Sequence, residues 1–104
     1  MKKKNWANVA GRKMYCDPGH GWLAVKVDEI QQLGITHKIT GYSYYKGATV
    51  YLEEDCDLAT YMNACRAAGY EPGFVVKHCD YDSPIRWYKR VPINFTDVAA
   101  NIYA

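Results

Sequence analysis

Little in this sequence announces a chemistry, and each absence excludes a class of function. No run approaches the about 18 consecutive apolar residues of a membrane-spanning helix, so no membrane association is expected. Lys2–Lys4 lead into Asn5-Trp6-Ala7-Asn8 instead of an apolar secretory core, so a cytoplasmic setting is expected. Cys16, Cys56, Cys65 and Cys79 contain no C-x-x-C pair and no regular framework, which argues against a disulfide scaffold, a redox motif and a ribbon-type zinc site. Strong charge is also missing. A net charge of +2 and a pI near 8.3 fall short of a dedicated nucleic-acid-binding domain. No Gly-rich phosphate cradle, internal repeat or low-complexity segment is present.

What is there describes one folded unit. With 104 residues, 49% hydrophobic and 23% charged, the chain suffices for one core. Residues 1–13 carry Lys2, Lys3, Lys4, Arg12 and Lys13 with no acid and read as a basic flexible arm; residues 14–104 read as the domain. Its strongest element is the helix after Tyr51–Asp57. Leu58, Tyr61, Met62 and Cys65 recur at i, i+3, i+4 and i+7 and share one face. Asp55 or Asp57 is the expected N-cap, and Gly69 and Pro72 stop the helix.

Upstream, Asp17-Pro18-Gly19-His20 has the composition of a type II turn. Leu23, Val25 and Val27 alternate as a half-buried strand, and Asp28 should cap a short helix closed by Gly34. Ile39–Tyr45 and Thr49–Glu53 read as a hairpin, and Phe74–Cys79 and Ile85–Val91 as a second strand pair. Thr96 should cap a last helix carrying Val98 and Ile102. This order implies an α+β fold: a mainly antiparallel sheet of about five strands packed by one main helix, with short extra helices.

Asp17-Pro18-Gly19-His20-Gly21-Trp22-Leu23, Leu33-Gly34-Ile35, Tyr42-Ser43-Tyr44, Tyr51-Leu52-Glu53-Glu54-Asp55-Cys56-Asp57 and Ser83-x-Ile85-Arg86-x-Tyr88 together resemble a family of small uncharacterised proteins of bacteriophages and prophages. The pattern is left near Cys79–Asp82 and beyond Arg90. The resemblance implies a phage or mobile-element origin and a setting inside a bacterial cell. It implies no activity and no catalytic residues.

The candidate residues follow from the strand alternation. If Ile85, Trp87 and Val91 face the core, Arg86, Tyr88 and Arg90 face outward beside Tyr44 and Tyr51, the residue types that protein interfaces concentrate. These residue types lead to the expectation of a non-enzymatic binding protein; the phage resemblance, and no residue, adds the expectations that the partner is a bacterial host protein and that binding inhibits a host process or defence system. The alternative is a nucleic-acid-binding module that stacks bases on these tyrosines. A third is a small enzyme using Asp17 and His20 as a carboxylate-oriented base, or a metal on His20, His78 and Cys79 with the carboxylates of Glu53–Asp57. Asp17 more simply satisfies its own turn, and adjacent His78 and Cys79 point to opposite faces of a strand. No cofactor, metal or disulfide is expected.

Overall fold

The alternation at Leu23 and Val25 places the central strand of a six-stranded sheet. The structure, a computed structural model, describes residues 4–103. The strands are β1 (Arg12–Cys16), β2 (Gly21–Lys26), β3 (Tyr44–Lys46), β4 (Thr49–Glu53), β5 (Phe74–His78) and β6 (Lys89–Arg90), in the order β5-β1-β2-β4-β3-β6. All neighbouring pairs are antiparallel except β1 with β5, which is parallel. One face carries Leu23, Val25, Val50 and Leu52 against α1 (Val27–Gln32), α2 (Asp57–Ala67) and α3 (Phe95–Ile102). The α+β class is thus as expected, and no helix of the described residues is long and apolar enough to cross a membrane.

The opposite face is covered too. Trp22, Tyr44 and Ile85 form a second buried cluster flanked by Tyr15, Tyr51 and Tyr88. Its cover is Pro84–Trp87, a 3-10 helix where a strand was expected. The backbone turns because the Ser83 side chain accepts the Ile85 N–H and Pro84 supplies a fixed φ at the first helical position. Alternation therefore fails: Ile85 and Val91 are buried, but Trp87 is 81% exposed. Strand pairing is left to Lys89 and Arg90 alone, on β3, while β5 joins β1 at the far edge.

Local expectations fared unevenly. The stripe on α2 is as read: Tyr61 and Cys65 are buried, with Leu58 and Met62 packed against the core. Gly34 and Gly69 take the positive φ that ends their helices. The side-chain caps do not form. Cys56, Lys26 and Asn94 occupy the N-cap positions of α2, α1 and α3, none with a side-chain bond, in place of Asp55 or Asp57, Asp28 and Thr96. Asp57 is instead buried and accepts from Thr40 N–H and Oγ1 and from Ser43 Oγ, holding the loop before β3 and shortening that strand from the expected Ile39–Tyr45. Gly19 has no positive φ, so the turn is not type II; the Asp17 carboxylate shapes it by accepting the Gly19 and His20 N–H groups.

The basic arm is tied down across its described part, residues 4–13. Trp6 is buried in a 3-10 turn, and Arg12 and Lys13 belong to β1. Lys2 and Lys3 lie outside the described residues. The tether is a buried ion pair: Arg12 Nε and Nη2 donate to the two Glu29 oxygens at 3.1 and 3.0 Å, and its remaining N–H groups reach the Trp6 and Val9 carbonyls. Glu29, 1% exposed, also accepts from Tyr61 at 2.8 Å and Tyr70 at 2.7 Å. Burial lowers the Arg12 pKa, but the Glu29 carboxylate outweighs that and the net shift is upward. Burial, then the adjacent carboxylate, raises both tyrosines. Glu29→Ala would strand a buried guanidinium and should cost about 3–5 kcal/mol. Tyr70→Phe, which removes one donor, should cost about 1–2 kcal/mol. Urea unfolding of both variants checks the ranking; equal losses would contradict it.

Candidate functional site

The β1–β2 turn and the Ser83–Tyr88 segment meet because of Asp17, beside the end of β4, where the Glu54 N–H donates to the Gly21 carbonyl. The Asp17 side chain is fully buried, and Arg86 donates to it through Nε at 2.7 Å and Nη2 at 2.9 Å. The Ser83 N–H donates as well, at 2.9 Å. With the Gly19 and His20 N–H groups, one carboxylate organises two segments 66 to 69 residues apart. The Arg86 guanidinium, then the backbone donors, hold the Asp17 carboxyl well below the usual carboxylate range despite burial.

Beside this pair opens a cleft of about 440 Å³. One wall is aromatic and cationic. The Arg86 guanidinium lies 5.3 Å from the Trp22 ring centre, Trp22 meets Tyr44 edge-on at 6.3 Å, and Arg90 lies 4.9 Å over Tyr44 while donating to the Gly41 carbonyl. Tyr42, 66% exposed, stands at the mouth. The rest of the lining includes Glu53, Asp55 and Cys56. His20 also lines the cleft, 5.9 Å from the Trp22 ring, with Nδ1 3.5 Å from Glu53 Oε1.

Of the five expected binding residues, Tyr44, Arg86 and Arg90 therefore share the cleft. Tyr51 and Tyr88 do not. They stack on each other at 5.2 Å on the aromatic sheet face, with Tyr15 beside Tyr51 and Lys46 over Tyr88. Arg86 is not a free outward arginine either, since its charge is tied to buried Asp17.

The Asp17–His20 pairing takes a different form from a catalytic dyad: Asp17 holds the His20 backbone, and the ring faces Glu53. His78 is exposed on β5, and Cys79 donates its N–H to the Cys16 carbonyl; neither joins His20. Among the described residues, the group able to offer metal ligands is His20, Glu53 and Asp55, with donor atoms within 4.8 Å of one another. All four cysteines are free, and the Cys56 thiol is directed to Asp57 and Thr40.

Sequence reasoning joined the Glu53–Asp57 carboxylates to His20 as candidate metal ligands but passed over Trp22, Tyr42 and Cys56 as parts of the same cleft. The signal that would have found them is the β2–β4 register, which sets Trp22 opposite Glu53, and strand pairing across that loop is not written in either segment.

The depressed Asp17 pKa gives a testable sign. A carboxylate whose folded pKa is lowered contributes fully above its ordinary value of about 3.9, and that contribution is lost as pH falls through the folded value. Stability from urea unfolding should therefore drop below about pH 4, and Arg86→Gln should flatten that drop and cost about 2 kcal/mol near pH 7. An Arg86→Gln variant with parental stability and the same acid slope would contradict the pairing.

Comparison with protein-family models, with curated proteins and with solved structures finds no match to this chain.

Proposed function

We propose that the chain is a non-enzymatic binding protein of bacteriophage or prophage origin that works inside the bacterial cell. It engages a host protein through the Trp22–Arg86 cleft and thereby inhibits a host process or defence system. The observation that carries this reading is convergence. Four of the five segments that carry the phage resemblance are dispersed in sequence yet line one cleft: His20 and Trp22, Tyr42 and Tyr44, Glu53 with Asp55 and Cys56, and Arg86. Trp22 and Tyr44 meet through core packing with Ile85, but that packing gives no reason for the exposed His20, Tyr42 and Asp55 to gather at the surface opening beside them.

The composition favours a protein partner. Tyr, Trp and Arg in a partly enclosed setting are the residue types that dominate interface energetics. Glu53 and Asp55 place negative charge where a nucleic-acid phosphate would have to lie, which disfavours that alternative. The lining presents groups that a protein surface can match, with carboxylates for Arg90 and amines or backbone N–H groups for the acidic side.

Tyr42 and Arg90 test the reading because both are exposed and neither holds the core. Tyr42→Ala and Arg90→Ala should each weaken binding of the host partner by about 2 kcal/mol, with the melting temperature nearly unchanged and modest salt dependence. Binding unaffected by both changes, or abolished by nuclease and steeply salt-dependent, would overturn it.

A further inference from the structure

The acidic residues of the same cleft support a second, metal-binding role that does not rest on the partner proposal. Antiparallel pairing of β2 with β4 sets Trp22 opposite Glu53, and the Glu54 N–H donates to the Gly21 carbonyl at 2.9 Å, so the residue preceding β2 lies against the end of β4. That residue is His20, whose backbone is held by Asp17 at 2.9 Å. On the other strand, Glu53 Oε2 accepts the Asp55 N–H at 3.0 Å, a tight turn that brings the Asp55 carboxylate back beside Glu53.

The remaining oxygen, Glu53 Oε1, is the telling atom. Oε2 is taken by the Asp55 N–H, whereas Oε1 makes no hydrogen bond among the described residues and faces His20 Nδ1 at 3.5 Å from the cleft. An imidazole nitrogen and two carboxylates, with donor atoms within 4.8 Å of one another at the cleft, form a donor set that suits a divalent ion. Bonds of about 2.0–2.2 Å in a tetrahedral zinc site separate the ligand atoms by about 3.4 Å, which the His20–Glu53 pair matches at 3.5 Å, while the exposed Asp55 carboxylate has to move in from within 4.8 Å. Two carboxylates also match the charge of a divalent ion.

We propose that His20, Glu53 and Asp55 bind one divalent transition-metal ion, with zinc the best fit to one imidazole and two carboxylates. Magnesium and calcium call for more oxygen ligands and no imidazole. The Cys56 thiol is engaged with Asp57 at 3.7 Å and is not a ligand. Three protein ligands leave a coordination position open to the cleft, the arrangement of an exchangeable site and not of a closed structural one. Arg86 and Arg90 line the same cleft; the first is neutralised by Asp17 and the second lies on Tyr44.

Isothermal titration of metal-free protein with zinc chloride tests the site. One equivalent should bind, and His20→Gln and Asp55→Asn should each weaken binding at least about tenfold, the effect reached even by losing an outer-shell partner. Both residues are exposed, so the metal-free melting temperatures should stay at the parental value. His78→Gln, Cys56→Ser and Cys79→Ser should bind as the parent does. Cobalt(II) should give the visible bands of a tetrahedral site without thiolate charge transfer. Absence of saturable zinc binding, binding that survives His20→Gln and Asp55→Asn, or a thiolate charge-transfer band would each overturn the assignment.

Discussion

Asp17 and Arg86 form the interaction on which the exposed half of the molecule depends. Both faces of this sheet carry buried apolar clusters, and the α-helices cover one of them only. The other side is closed by Ser83–Tyr88, a segment too short and too irregular to hold itself by backbone pairing. The bidentate arginine–carboxylate contact, with the Ser83 N–H added, clamps that segment to the β1–β2 turn and seats Ile85 against Trp22 and Tyr44. The same contact aims the guanidinium at the Trp22 ring, so the clamp and the cationic wall of the cleft are one group.

Buried carboxylates recur as fasteners elsewhere. Glu29 gathers Arg12 from β1, Tyr61 from α2 and Tyr70 beyond it; Asp57 gathers Thr40 and Ser43. Each connects parts of the chain that hydrophobic packing alone would leave free to slide, and each must remain fully hydrogen-bonded to offset its desolvation. The acidic residues around α2 accordingly serve long-range contacts instead of the helix end they precede.

This division explains what the sequence disclosed. Periodicity and punctuation act locally, so the α2 stripe, the Gly34 and Gly69 terminations, the β3–β4 hairpin and the α+β class were legible. The carboxylate partnerships were not, because Asp17 meets Arg86 across 69 residues and Glu29 meets Arg12 across 17. Arg12 read as part of a solvated arm for that reason. Ile85–Val91 misled through its alternation: Ser83 and Pro84 start a 3-10 turn whose shift in period exposes Trp87 and draws Arg86 inward. Tyr44, Arg86 and Arg90 were identifiable by type, but their meeting with Trp22, Glu53 and His20 required the strand order.

The central claim is that this cleft is where the chain meets its partner. Its most direct test is a photo-crosslinking amino acid placed at Tyr42, at the mouth of the cleft, and separately at Asn63, exposed on the helical side. Irradiated in bacterial cells, the Tyr42 position should yield a covalent adduct with one host protein that the Asn63 position does not. An adduct formed only from Asn63, or only to nucleic acid, would contradict the account.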